Sequence, residues 1–293
     1  IREIEVNKEI LESNMKKLLF KIACAFLVSV FSVAALFCSG CADKETPDDK
    51  TDAREEIVIG SDEYRPFFFT NGDGKFSGID VEIATEAFAR MGYKVKFIQI
   101  EWNKKDVLLS DSEIDCLWGC FSMTGREDVY SWAGPYMNST QAVLVRKDSD
   151  IYSLSDLDGK RVAVQATSKP DEIFSEKIKS GELKLKNLLC FTSIDNVYAS
   201  LRKGYADAIA GHVTAIRERI KNYSDDGYRF LSEPLMQVRL GIAFAKGTDG
   251  NFILKINETL EEMTADGSVG QILDKYGVDV KYALDGIKGY EQE

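Results

Sequence analysis

The chain has 293 residues, 44% of them hydrophobic, with six cysteines, a single histidine and a formal net charge of −11 at pH 7. So acidic a balance argues against a nucleic-acid partner, whose phosphates demand clustered Lys and Arg. One histidine removes most zinc chemistry, so neither a metal nor a cofactor is expected.

Residues 1–14 are charged and precede the plausible initiator Met15, and are set aside as a mis-called start or upstream extension. From Met15 the chain reads as a secretory signal over 15–40: Lys16 and Lys17, an apolar run from Leu18 to Phe37, then small residues. Ser39-Gly40-Cys41 resembles the lipobox of bacterial lipoproteins. The resemblance implies acylation of Cys41 and anchorage to the outer side of the cell membrane, with Cys38 as the alternative. Residues 41–56 are polar and lack apolar periodicity, as in a flexible tether. Of the cysteines beyond the tether, Cys116, Cys120 and Cys190 are odd in number, which argues against a closed disulfide framework. They read as buried small apolar residues, with a Cys116–Cys120 bridge as an option.

From Ile57 onward, short apolar runs alternate with amphipathic helical patterns, the signature of βαβ units. Strands are expected at 57–59, 93–100, 114–118 and 141–146, with a helix from Asp80 to Met91 closed by Gly92. A second block carries strands at 161–165, 188–191, 206–210 and 240–245. Its helices are expected from Pro170, over 194–203 and 214–221, and near 251–265 and 269–276. Open α/β sheets bind ligands beyond the carboxyl ends of their strands. That rule points to the loops Ser61–Tyr64, Gly119–Arg126, Gln165–Lys169 and Gly211–His212.

Five blocks stand in order from Ile57 to Tyr276: Gly78-Ile79-Asp80-Val81-Glu82-Ile83; Met123 to Tyr136, with Arg126 ten residues before Tyr136; Leu154 to Gln165; Ala206-Asp207-Ala208-Ile209; and Leu240 to Gly247. Together they resemble the polar amino-acid binding proteins of ABC transporters, the bacterial extracellular solute-binding family 3. The resemblance implies an α/β, two-lobed type II periplasmic-binding fold with two hinge crossovers near 142–148 and 238–246. Lobe 1 would hold 55–146 plus 240–293 and lobe 2 would hold 150–236.

The resemblance assigns Arg126 to the ligand carboxylate, and a guanidinium fork fits a carboxylate bidentately. A surface salt bridge to Glu127 or Asp128 is the plainer alternative. Tyr64 and Trp102 match aromatic positions against the ligand, Gly119 and Ser122 lie in its loop, and Gln165, Thr167 and Ser168 form a second wall ahead of a helix N-terminus. Trp118 reads as core. The turn at Thr167 lacks the family's usual glycine. His212 stands where the family places an aspartate for the ammonium, Phe121 where it places a hydroxyl, and Ser61 at a position often acidic. Either Asp62, Glu63 or Glu101 supplies the missing carboxylate, or the ligand is not a plain α-amino acid. His212 is open as a site residue or a buried structural one.

The expected function is capture of a small carboxylate-bearing ligand, an amino acid or related zwitterion, by a non-enzymatic monomer. It would deliver the ligand to an ABC permease and ATPase acting in trans. A cyclic-acid dehydratase on the same fold and a ligand-sensing module are the alternatives.

Overall fold

The computed structural model describes residues 55–221 and 227–290. The expected signal peptide, Cys41 and nearly all of the tether lie outside the described residues. In chain order the strands are β1 (Glu56–Ser61), β2 (Phe69–Thr70), β3 (Phe76–Ser77), β4 (Lys94–Gln99), β5 (Cys116–Leu117), β6 (Ser131–Arg146), β7 (Arg161–Gln165), β8 (Asn187–Phe191), β9 (Ala208–His212), β10 (Tyr228–Phe230) and β11 (Met236–Phe244). The helices are α1 (Ile79–Arg90), α2 (Lys105–Ser110), α3 (Lys169–Ser180), α4 (Ile194–Arg202), α5 (Val213–Ile220), α6 (Gly250–Ala265), α7 (Ser268–Lys275) and α8 (Val280–Leu284).

Burial explains the helices. α1 buries Ile79, Val81, Ile83, Ala84, Ala87 and Phe88 on one side, while acidic residues occupy its first turn and Arg90 its last, a charge order that suits the helix dipole. Gly78 opens it at φ 130°, where a β-carbon would stand 2.2 Å from the Phe67 carbonyl oxygen. No other residue fits there.

Nine strands form one sheet in the order β4-β1-β5-β11-β6-β9-β7-β8, with β10 beside β6. β1 runs parallel to β4 and β5, and β7 parallel to β8 and β9. The two parallel groups are joined by β6 and β11, which pair antiparallel to each other. β9 is buried along its whole length, as expected of a strand covered on both faces.

β6 spans two separate cores. Ala133, Tyr136 and Met137 pack with Ile59, Phe88 and Trp118 on one side, and Val143 and Val145 pack with Val162, Val164 and Phe174 on the other. The first crossover strand is therefore longer than the expected 142–148, since β6 begins at Ser131, and the second is shifted two residues from the expected 238–246, since β11 spans Met236–Phe244. Gly134-Pro135 masks the early half of β6 in sequence, because proline cannot donate to a ladder. A register shift between Leu240 and Ile242 accommodates it. The β2–β3 hairpin, α2, β10 and α8 were not expected either; all but α2's six residues are five residues or shorter, too short for periodicity to register.

Cys116 and Cys120 are buried free thiols, but Cys190 is exposed, which corrects the expectation for that residue. Its thiol, on β8, donates to Asp171 Oδ1 at 3.2 Å.

Candidate functional site

The crevice where the two halves of the sheet meet is lined chiefly by residues at or just past the carboxyl ends of β1, β4, β5, β7 and β9. Asp62, Tyr64, Trp102, Gly119, Cys120, Phe121, Ser122 and Arg126 come from one half. Gln165, Ser168, Lys169, Pro170, Ile194, Ala210, Gly211 and His212 come from the other, with Gln141 of β6 at the floor. The void is about 420 Å³, part of it open to solvent. It sits beyond strand carboxyl ends, as open α/β sheets dictate.

The loop from Gly119 to Arg126 is held by a buried acid. Asp80, in the first turn of α1, accepts the backbone N–H of Cys120 at 2.5 Å and the Tyr136 hydroxyl at 2.8 Å. Burial pushes the Asp80 carboxyl up to about 7, against the pull of these two hydrogen bonds. Gly119 has no room for a side chain, because a β-carbon would lie 1.8 Å from Ser61 Oγ. Ser61 is thus packed against the loop and fully buried rather than facing the ligand space.

Arg126 is 6% exposed. Its guanidinium sits 4.9 Å from the Phe121 ring centroid. Phe121 in turn packs edge-on against Trp102 at 5.0 Å and lies beside Tyr130 and Trp132. The expected hydroxyl position has therefore become part of an aromatic wall. Neither Glu127 nor Asp128 pairs with Arg126. Its Nε and Nη2 donate to Glu172 Oε1 on α3, across the crevice, the former at 2.7 Å. Glu172 Oε2 accepts from Lys169 Nζ at 2.9 Å. Arg126 also reaches the carbonyls of Ser122 at 3.3 Å and Thr167 at 3.4 Å.

Thr167 resolves the missing-glycine question. It adopts φ 59° itself, a left-handed conformation costing roughly 1–2 kcal/mol for a residue with a β-carbon. Its N–H donates to Asp171 at 2.8 Å and its Oγ1 accepts from Lys105 Nζ at 3.0 Å. Its side chain is turned to Lys105 rather than lining the void, so Thr167 meets the site through its carbonyl. Ser168 caps α3, accepting from the Asp171 N–H, and still lines the crevice.

Of the three candidate carboxylates, only Asp62 lines the crevice. Glu63 turns to Arg65 and Glu101 to Lys104, both exposed. Burial pushes the Asp62 carboxyl up to about 6, opposed first by the hydrogen bond it accepts from Gln165 Nε2. That bond also crosses the crevice.

His212 is buried at the end of β9. Desolvation, reinforced by the positive charge of Arg126, pushes its pKa down to about 3. The ring is therefore neutral. Gln141 Nε2 stands 2.7 Å from its Nε2 and Ser139 Oγ 2.8 Å from its Nδ1. The amide donates to Nε2, so Nδ1–H donates to Ser139, a tautomer assigned from this network. The Tyr64 hydroxyl accepts the His212 backbone N–H at 3.4 Å. Gln141 lines the crevice, and its Oε1 is buried with no hydrogen-bond partner among the described residues. Trp118 is buried in the core, as expected.

The crevice thus offers a buried guanidinium against a carboxylate, an enclosed acid without a direct cationic partner among the described residues, an unfilled amide acceptor and aromatic walls. Comparison with known proteins places this arrangement. Residues 57–279 match the bacterial extracellular solute-binding proteins, family 3. The chain belongs to that family. It is 26% identical over 273 residues to the L-cystine-binding protein TcyA of Bacillus subtilis, covering 89% of this chain and 99% of that one. It is 27% identical over 274 residues to a probable amino-acid ABC transporter-binding protein of Haemophilus influenzae, covering 91% and 99%. Among solved structures, an ancestral arginine-binding protein bound to arginine superposes with a TM-score of 0.70 at 27% identity, covering 76% of this chain and 98% of that one. The two sheet halves joined by β6 and β11 are accordingly the lobes of a type II periplasmic-binding fold.

Within this family member, sequence reasoning reached Lys169 only as the end of the Gln165–Lys169 loop and missed Gln141 and Glu172. Nothing local marks Gln141, which sits mid-strand. Glu172 is one of two acids in the first turn of α3, where a carboxylate is ordinarily read as a partner of the helix dipole.

Proposed function

We propose that this protein is a lipid-anchored extracytoplasmic binding protein that captures an α-amino acid or close derivative between its lobes and delivers it to an ABC permease and ATPase. It acts as a monomer, with Cys41 as the acylated residue after a signal peptide over 15–40. The lobes comprise 55–146 plus 240–293 and 150–236, and they close by bending at β6 and β11. The ligand carboxylate takes the place of Glu172 on Arg126, within reach of the Ser168 turn. Its ammonium faces the Asp62 carboxylate and the unfilled Gln141 Oε1. Tyr64, Trp102 and Phe121 exclude water, Gly119 and Ser122 shape the lobe-1 wall, Gln165 positions Asp62, and His212 holds Gln141.

The observation that carries this reading is the buried Arg126 fork, filled by a carboxylate from the opposite lobe. The names of the cystine- and amino-acid-binding relatives support the ligand class. Non-enzymatic binding accords with His212, whose Nε2 lone pair is taken by Gln141 and so is not poised for proton abstraction.

A thermal-shift screen of residues 43–293 against L-amino acids, organic acids and polyamines tests the proposal, since a ligand that binds the native state raises its stability by mass action. α-Amino acids are expected to stabilise it. Equal stabilisation by acids lacking an ammonium, or none by any amino acid, would refute the proposal.

A further inference from the structure

The turn ahead of α3 has few backbone donors left for an anion. The Thr167 N–H donates to Asp171 Oδ2 at 2.8 Å and the Ser168 N–H to the Gln165 carbonyl at 3.3 Å. The Asp171 N–H is taken by Ser168 Oγ at 3.4 Å and the Glu172 N–H by the Ser168 carbonyl at 3.2 Å. Pro170 has no N–H, which leaves at most the amide of Lys169. With Thr167 left-handed and Asp171 turned back onto it, the turn is closed on itself. An anion that reaches lobe 2 here has to be met by a side chain.

Lys169 supplies one. It is buried and lines the crevice. Its ammonium reaches the loop of the opposite lobe: a β-carbon at Gly125 would stand 3.0 Å from Lys169 Nζ, so the residue before Arg126 leaves the space that Nζ fills. Glu172 shows what fits between the two cations. Its Oε1 accepts from Arg126 Nε at 2.7 Å and its Oε2 from Lys169 Nζ at 2.9 Å. A single carboxylate thus joins a cation of lobe 1 to a cation of lobe 2. Arg126 and Lys169 are both enclosed and costly to leave without a counter-charge, whereas Glu172 is partly exposed and has solvent to turn to.

We propose that Lys169 is a ligand-binding residue, the lobe-2 half of a two-cation clamp on the ligand carboxylate. One carboxylate oxygen goes to Arg126 and the other to Lys169, and Glu172 holds both cations until the ligand displaces it. The clamp does by side chain what the closed turn no longer does by backbone, and because its two cations sit on different lobes, the bound carboxylate ties the lobes together. The inference rests on the proposed function and adds a residue that fixes its specificity for an anionic head.

Isothermal titration with the twenty standard L-amino acids tests this on the mature protein, on Lys169→Met, on Glu172→Gln and on the double variant, with Lys169→Gln in place of Lys169→Met if the latter does not fold. For each amino acid that binds, whatever its side chain, Lys169→Met is expected to raise Kd at least tenfold. The same rise is expected in the Glu172→Gln background, where no internal carboxylate competes. A smaller rise in that background would overturn the inference, because Lys169 would then act only by holding Glu172. So would a rise confined to aspartate and glutamate, which would put Lys169 against the ligand's side chain. Either result leaves the proposed function standing. Failure of the unsubstituted protein to bind any α-amino acid would instead remove the proposed function, and this inference with it.

Discussion

Replacing Asp62 by Asn should move stability and binding in opposite directions, which a merely structural residue would not do. Burial lifts the Asp62 carboxyl from 3.8 to about 6. A raised carboxyl pKa means that the ionised form opposes folding. The penalty is complete above pH 6, shrinks as pH falls through 6, and is gone below 3.8. Two units at ~1.4 kcal/mol each give at most ~3 kcal/mol, and residual solvent contact at Asp62 reduces this. The Asn variant without ligand should therefore melt about 2–6 °C higher at pH 7.5, given ~2–4 °C per kcal/mol for a domain of this size. It should show no gain at pH 4. Binding goes the other way, because the ammonium loses a charge-assisted hydrogen bond worth ~1.5–3 kcal/mol, a roughly 10- to 150-fold rise in Kd. Wild-type affinity should also weaken about tenfold per pH unit below pH 6 as Asp62 takes up its proton, while the variant's stays flat. Scanning calorimetry without ligand and titration with the most stabilising amino acid at pH 7.5 and 5 measure both. A variant that binds within threefold of wild type, or melts lower at pH 7.5, refutes the assignment of Asp62 to the ammonium.

Arg126→Ala should raise the ligand Kd by at least about 100-fold, since two charge-assisted bonds of ~1.5–3 kcal/mol each are lost; titration giving less than a tenfold change would remove Arg126 from the carboxylate site. Glu172→Gln keeps the shape but removes the internal carboxylate that competes for Arg126. Because Glu172 is 38% exposed, the pair is worth only ~0.2–1 kcal/mol, so Kd should tighten by about 1.4- to fivefold, and a tenfold weakening would make Glu172 a ligand contact. Asp80, pushed to about 7 in the fold, makes wild-type stability decline as pH rises from 4 to 7. The stability deficit of Asp80→Asn should therefore shrink by roughly 2–3 kcal/mol between pH 5 and 8, as read from urea melts; a constant deficit would argue against a protonated Asp80. Cys41→Ser should release the protein from the membrane fraction, and retention there would shift the anchor to Cys38 or to an uncleaved apolar segment.

Much of the architecture was legible along the chain. β1, β4, β7, β8 and α1 announce themselves because each buries one face or a continuous run in a single core, so local periodicity carries the information. β6 does not, since one strand serves two cores and passes Gly134-Pro135 on the way. The site divides in the same way. Arg126 sits in a recognisable block, and Tyr64, Trp102 and His212 stand just past or at the ends of legible strands, so all four could be pointed to in sequence and all four line the crevice. The choice among Asp62, Glu63 and Glu101 could not be made, because neighbouring acids differ only in which way the loop after β1 turns them.

What the residues determine by themselves is the alternation of elements, the acidic solvated surface and the placement of a guanidinium in a loop that follows a strand. Which groups face one another across the crevice was decided by tertiary structure alone. Glu172 meets Arg126 from 46 positions away and Gln165 meets Asp62 from 103. Contacts of that kind are set by how two separately folded cores are held by β6 and β11. Short-range patterning carries no trace of them, because neither partner's own segment needs the other in order to form.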